Sequence, residues 1–486
     1  MFAQRGVFCT LLLVLTSACA RAPQSAPHYA ILPFDNLTGD ASLDWIARTA
    51  PRIAAAEISD VARSAATIDE AYLEKANRFV HGYYTKDANA LRLTVEVEDS
   101  ATHKMLSTEQ IDGSVLASAN ALAKSLEPKA KPFSTSNEEA IAAWGRGEYE
   151  KAVTLDPSFG LAWRAWIDTL ARSGDTAGAI QVAERALQHP VNSEIDGLRI
   201  ELVRATLQKD AHAEHEVLLK LTARVADPQL LATLGEIEVR AREFAVAEGD
   251  YKKILAIQPD NPDALNKLGY ALGYQGKVPE AASILAQYGK SPGQEPNALD
   301  SLGEMYFMNG KFPEAEKAFL RGHDLNAAFL AGADLRKAAF ARWLGGDLAG
   351  ADALFGRYLD FRAKLQDQAV EWQHAQWEFT TGRRDQALAR IQKISIPQAA
   401  VETRIWRGEA RFPADLAALK HAYESSQPAA DGLFRTLYAE ALLANGEKDE
   451  AKKLAARWPL PDNAGDPVLQ SLVFPKYLAL RRILGL

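Results

Sequence analysis

Cysteine is almost missing from this chain. Its 486 residues contain two, Cys9 and Cys19. Everything after Cys19 must therefore fold without a disulfide framework, a cysteine-based zinc site or a thiol nucleophile. Basic blocks are missing as well: the net charge is -8, which removes the electrostatic footprint that nucleic-acid binding needs. Motifs that carry catalysis are also lacking. There is no HExxH, and Gly345-Gly346-Asp347 is not followed by Lys-Ser/Thr, so it reads as a helix-ending turn rather than a phosphate loop. His212 and His215 lie three apart on one helix face, but no third ligand accompanies them, and they read as solvated side chains. Glu138-Glu139 reads as helix-surface charge. These gaps point away from an enzyme and imply no cofactor and no metal.

What is present is one register. Alanine recurs at Ala179, Ala213, Ala247, Ala281 and Ala315, each 34 residues after the last. Gly235, Gly269 and Gly303 keep the same interval. Leu231, Leu265 and Leu299 precede these glycines by four residues, and Leu234, Leu268 and Leu302 by one. Tyr251, Leu285 or Phe319 follows each alanine by four. The pattern describes a helix pair. The first helix carries a close-packing glycine. The second carries a small residue where the helices cross, then a bulky one. Gly276 and Gly310 stand where the first helix must end on a left-handed residue. Trp163, Trp166, Ile167, Leu170 and Gly174 extend the frame backwards, with Trp163 and Trp166 as core plugs, and a degenerate unit from Gly197 to Val217 keeps the period. This period and large-small spacing resemble the tetratricopeptide repeat.

Residues 1–18 open with Arg5, continue with the apolar run Gly6 to Leu15, and end in the small residues Thr16, Ser17 and Ala18 before Cys19. The run is too short for an ordinary membrane-spanning helix. The segment resembles a bacterial lipoprotein signal peptide, although Leu15 sits one place early and Thr16 occupies the usual leucine position. The resemblance implies lipidation of Cys19, a membrane anchor, and a location on the periplasmic side of the cell envelope, at the outer membrane. A plain secretory signal with an incidental cysteine is the other reading. Residues 19–27 read as a tether.

Residues 28–127 read as a small α/β domain in the order β-α-β-α-β-β-β-α. HYAILPF is an apolar strand ended by Pro33, and Asp35 to Asp40 is turn chemistry. A helix capped near Asp40 or Ser42 follows, kinked or restarted at Pro51. Ser64 to Ile68 is expected as a second strand and Asp69 to Phe79 as a second helix. Val80 to Tyr84 neighbours a strand in which Leu91, Leu93, Val95 and Val97 alternate with polar residues. Lys104 to Ile111 returns as its hairpin partner, and Val115 to Leu126 closes the domain. The LPF, NLTGD and DW segments resemble the α/β domain of TolB amino-terminal, FlgO-like and CsgG-like envelope proteins. There the domain is an assembly or binding module.

Residues 128–136 read as a linker and residues 137–460 as the repeat solenoid, opened by a truncated helical unit from Glu138 to Leu155. After Leu325 the register slips by two, giving units around Ala339 and Ala351 and around Ala375 and Ala387. Residues 399–423 are a poorly matched helix pair, and Tyr438 to Ala451 restores the pattern. Residues 461–486 supply a capping helix. The fold class expected is mainly α, a superhelical tetratricopeptide-repeat solenoid preceded by a small α/β domain.

The repeat resemblance implies a concave groove lined by first helices. The positions it points into that groove are Asn266, Tyr270, Gly273 and Tyr274 in one unit, and Asn297, Asp300, Glu304, Phe307 and Met308 in the next. Arg164, Asp168, Glu236 and Arg240 lie farther along. Aromatic and methionine side chains offer contact area, and asparagines can bond an extended peptide. The function expected is a non-catalytic envelope scaffold that holds a protein or extended peptide in the groove, with Tyr270→Ala and Tyr274→Ala weakening capture without unfolding the array. A sensory or regulatory subunit, as found where the same pair of domains follows DNA-binding or cyclase domains, is the alternative. A glycan-acting enzyme hidden in the solenoid is the third.

Overall fold

The computed structural model describes residues 27–395 except positions 60, 74–75 and 88–89, and beyond them mainly 413–424, 438–443 and 445–456. The signal segment 1–18, Cys19 and nearly all of the expected tether and of the capping segment 461–486 lie outside the described residues. The chain forms two compact units, one through Ala211 and the other from His212.

The first unit opens with a mixed sheet. Its strands are β1 (Tyr29–Ile31), β2 (Asp35–Asn36), β3 (Ala62–Ser64), β4 (Arg78–Asp87), β5 (Ala90–Asp99) and β6 (Met105–Gly113). The order across the sheet is β3-β1-β4-β5-β6, with β2 also beside β4. β1 runs parallel to β3 and β4, whereas β4, β5 and β6 are antiparallel neighbours. Helix α1 (Ile46–Glu57) contains Pro51 and runs straight through it. A proline lacks the N–H that would reach the carbonyl four residues back. That carbonyl, on Ala47, accepts instead from the Phe34 N–H at 2.9 Å, so the loop after β1 repairs the gap.

Three local readings are corrected. The second strand is Ala62–Ser64 rather than Ser64 to Ile68, because the backbone of β1 pairs there. Helix α2 is only Ile68–Leu73, and Phe79 lies in β4, buried on the sheet. Asp35–Asn36, the first two residues of the expected turn, pair with β4 as a short strand.

Helix α3 (Val115–Leu126) covers the sheet, and helices α4 (Glu138–Gly145), α5 (Tyr149–Leu155), α6 (Gly160–Arg172), α7 (Thr176–Ala186) and α8 (Glu194–Gln208) follow. One core continues from Ile31 and Leu93 through Trp144 and Phe159 to Trp163, Ala183 and Ile200. The stretch 128–136 is packed: Phe133 joins this core, the Lys131 N–H donates to the Glu57 carbonyl at 2.9 Å, and Thr135 donates to Asp156 at 2.5 Å. The truncated helical unit expected from Glu138 to Leu155 is the two helices α4 and α5, divided at Gly147, whose φ is 81°.

The second unit is built from helix pairs. They are α9 (Ala211–Thr222), α10 (Pro228–Arg240), α11 (Phe244–Ile257), α12 (Pro262–Tyr274), α13 (Val278–Tyr288), α14 (Glu295–Met308), α15 (Phe312–Leu325), α16 (Ala333–Leu344), α17 (Leu348–Lys364), α18 (Val370–Thr380) and α19 (Arg384–Ile391), with further helices at Pro413–Glu424 and Lys448–Ala456. The three register positions do one steric job. Ala247, Ala281 and Ala315 are fully buried. A Cβ on Gly235, Gly269 or Gly303 would stand 2.8, 2.6 or 2.4 Å from Tyr251, Leu285 or Phe319, so each glycine seats the bulky residue of its partner helix. Gly276 and Gly310 turn the chain at φ 74° and 72°. The slip by two residues is taken up at 329–332, where Leu330, Ala331 and Gly332 all have positive φ before α16 starts. No described helix is long and apolar enough to cross a membrane.

Candidate functional site

The first helices α12 and α14 of two successive pairs carry the main set of residues expected to line a groove. The structure divides those residues. Asn266, Tyr274, Asn297 and Met308 are partly exposed. Tyr270, Asp300, Glu304 and Phe307 are buried and offer no surface to a partner. The reason is close packing between successive first helices. Gly273 marks it: a Cβ there would stand 1.8 Å from the Met305 sulfur. A helical register tells which side a residue faces but not what stands over it.

The buried residues form a polar cluster. The Tyr270 hydroxyl donates to Glu304 Oε2 at 2.5 Å and lies 3.3 Å from Ser301 Oγ. The Lys337 ammonium donates to Glu304 Oε1 at 2.6 Å and also to Asp300. Its side chain is 4% exposed and stands over the Phe319 ring, 5.5 Å from the centroid. Asp334, 1% exposed, has no donor for either carboxyl oxygen among the described residues. It faces the Asp300 carboxyl. Three carboxyls thus surround one ammonium. Burial pushes Asp300 and Glu304 up to about 7 against the pull of Lys337, and burial raises Asp334 as well. Lys337 is held above its ordinary value because Asp300 and Glu304 outweigh its own desolvation. Sequence reading missed Lys337 and Asp334. The signal was there: Asp300 and Asp334 are one 34-residue period apart, as are Tyr270 and Glu304.

A second acid pair lies between α10 and α11. Glu238 is buried with no donor for its oxygens among the described residues, and it faces Asp250. Burial, then the Asp250 charge, raises Glu238 to about 8. Asp250 also receives Lys253 at 2.6 Å.

The partly exposed set keeps some contact chemistry. Tyr274 stacks on Phe244 with ring centroids 4.6 Å apart. Asn297 donates to the Tyr288 hydroxyl at 2.7 Å and ties α14 to α13. Of the positions farther along, Arg164 is spent on Asp196 at 2.8 Å and Glu236 pairs with Lys267 at 2.6 Å, while Asp168 and Arg240 are exposed. Trp163 is core, stacked on Trp166 and donating to the Pro157 carbonyl at 2.8 Å. Among the described residues no group of three or more His, Cys, Asp or Glu side chains is placed to hold a metal ion.

No protein-family model matches the chain. No curated protein sequence matches it. Among solved structures it is similar to YrrB, a TPR protein with an unusual peptide-binding site, at TM-score 0.35 and 15% identity over 40% of this chain and 97% of that one. It is similar to the C-terminal part of a TPR repeat-containing protein from Cytophaga hutchinsonii, at TM-score 0.36 and 17% identity over 49% and 98% of the two chains. Yeast Tom70 matches at TM-score 0.35 and 13% identity over 71% and 88%. Similarity at this level does not carry the functional reading; the register and packing of this chain do.

Proposed function

We propose that the chain is a non-catalytic protein-interaction scaffold of the cell envelope. Its helix pairs stack as a tetratricopeptide-repeat solenoid that holds an extended segment of a protein partner. The observation that carries this reading is the repeated glycine-to-bulky seat in α10 to α15, which packs the two helices of each successive pair together in the same way at a fixed interval. In this reading the partner contacts the first-helix residues Asn266, Tyr274 and Met308, with Phe244 of the neighbouring second helix stacked on Tyr274. Tyr270, Asp300, Glu304 and Phe307 support them from beneath. The anchor in this reading is a lipid on Cys19, and several acyl chains would hold the protein firmly at about 0.8 kcal/mol per buried methylene.

The test uses tagged full-length protein in cells, with Phe244→Ala/Tyr274→Ala and Cys19→Ala beside the wild type. Crosslinking followed by mass spectrometry should recover one envelope protein from the wild type. The aromatic double variant should lose it while keeping its circular dichroism, and Cys19→Ala should leave the membrane fraction. A partner recovered equally from the double variant would remove the α12 surface from the account. Unchanged fractionation of Cys19→Ala would remove the anchor.

A further inference from the structure

We propose that the second unit carries a proton-operated latch: the Asp300–Asp334 and Glu238–Asp250 carboxyl pairs close only while each shares a proton, so these helix pairs tighten on the acid side of neutrality and loosen on the alkaline side.

The geometry requires a proton at each pair. Asp334 and Glu238 are both 1% exposed, and among the described residues no N–H or O–H reaches their oxygens. An ionised carboxylate in that position would be desolvated and unpaired, which is among the costliest states a side chain can adopt. Each faces another carboxyl instead. Two carboxyls attract only when one carries a hydrogen, which it then donates to the other.

The groups around the first pair cannot replace that proton. From α14 come Glu304 and Ser301, from α12 the Tyr270 hydroxyl, and from α16 Lys337. From α15 come only the Phe319 ring and Gly322, whose added Cβ would stand 3.1 Å from Asp334 Oδ2. Lys337 is one positive charge against three carboxyls, and it is already bonded to Asp300 and Glu304. Arg336, next in sequence, lies over the Tyr358 ring. Around the second pair the facing charges are Glu243 and Lys253. Lys253 is bonded to Asp250, not Glu238.

Two such pairs in one array make the response additive. The raised acids bind protons more tightly folded than unfolded. The population of the open form therefore grows about tenfold per pH unit per proton between the ordinary carboxyl range and the folded value. The second values are about 7 for Asp300 and about 8 for Glu238.

Hydrogen exchange of the full chain tests the latch, with rates corrected for intrinsic chemistry at about pH 5 and about pH 8. Peptides covering 228–257 and 295–344 should exchange at least about tenfold faster at the higher pH. Asp334→Asn supplies an amide donor that needs no shared proton. It should abolish the pH response at 295–344 and leave that at 228–257; Glu238→Gln should do the reverse. Equal corrected rates at both pH values in the wild type, or a full response in both variants, would overturn the proposal. Should a variant fail to fold, infrared spectra of the wild type and of Glu57→Gln decide. Protonated-carboxyl carbonyl bands present near pH 5.5 in both the wild type and Glu57→Gln, and lost near pH 9, support the latch, and spectra without such bands at the lower pH refute it.

Discussion

Gly303 and Phe319 occupy one site between them: a Cβ on the glycine would stand 2.4 Å from the ring. The pair shows how the repeat is held together, since the missing side chain of one helix is the socket for the next. Gly303→Ala should destabilise the second unit by about 1–3 kcal/mol through overpacking. Combining it with Phe319→Leu should recover part of that loss. Denaturant midpoints of the two single variants and the double variant would show the coupling as non-additivity.

Tyr270 and Tyr274 lie one helical turn apart yet answer different questions. Tyr270 is buried on Glu304, so Tyr270→Ala should cost about 3–5 kcal/mol by leaving a cavity, and Tyr270→Phe about 1–2 kcal/mol by removing one hydrogen bond to a charged group. Tyr274→Ala should cost only about 1 kcal/mol, the worth of its stack on Phe244. Equal losses at both positions would contradict the burial assigned here.

Lys337 is the single cation among three buried carboxyls. Breaking a buried pair by removing one partner costs about 3–5 kcal/mol. Lys337→Met should show that loss near pH 8 and a smaller one near pH 5, where Asp300 and Glu304 can take up protons instead. Urea unfolding at the two pH values would measure the difference.

Arg242 stands one period before Gly276 and takes the same left-handed turn, at φ 65°. An L-residue with a Cβ is strained there by about 1–2 kcal/mol. Arg242→Gly should therefore raise stability by about 1 kcal/mol, read as a higher midpoint in thermal unfolding.

In the first unit, Glu57 is buried on α1 and burial lifts its carboxyl to about 7. Its folded value lies above the unfolded one, so the folded state binds the proton more tightly. Its contribution to stability is fully present at and below the ordinary carboxyl range and is lost as pH rises to about 7. Glu57→Gln should match the wild type near pH 4 and exceed it near pH 8, as compared by thermal melts across that range.

Steric complementarity was the legible part of this chain. A glycine, an alanine and a bulky residue at a fixed interval can only describe two helices crossing closely, and Gly269, Ala281 and Leu285 do that. Alternation was legible too: Leu91, Leu93, Val95 and Val97 all point into the core. The two-residue β2 carried no periodic signal and was not legible. Nor was the fate of the groove residues. Asp300 and Glu304 face the side that the register assigns, but burial depends on how closely α12, α14 and α16 approach one another. That approach is set by contacts such as Gly273 against Met305, which join residues 32 positions apart and follow no local rule.

The central claim is that the first-helix edge of the repeat array touches a protein partner. Photo-crosslinking tests it most directly, with a photoreactive residue placed in full-length protein in cells at Asn266, Tyr274 or Met308, and at the exposed second-helix positions Val246 and Ile257. The account predicts one shared crosslinked protein from the three first-helix sites and none from the other two. Crosslinks of equal yield at all five sites, or only at Val246 and Ile257, would contradict it.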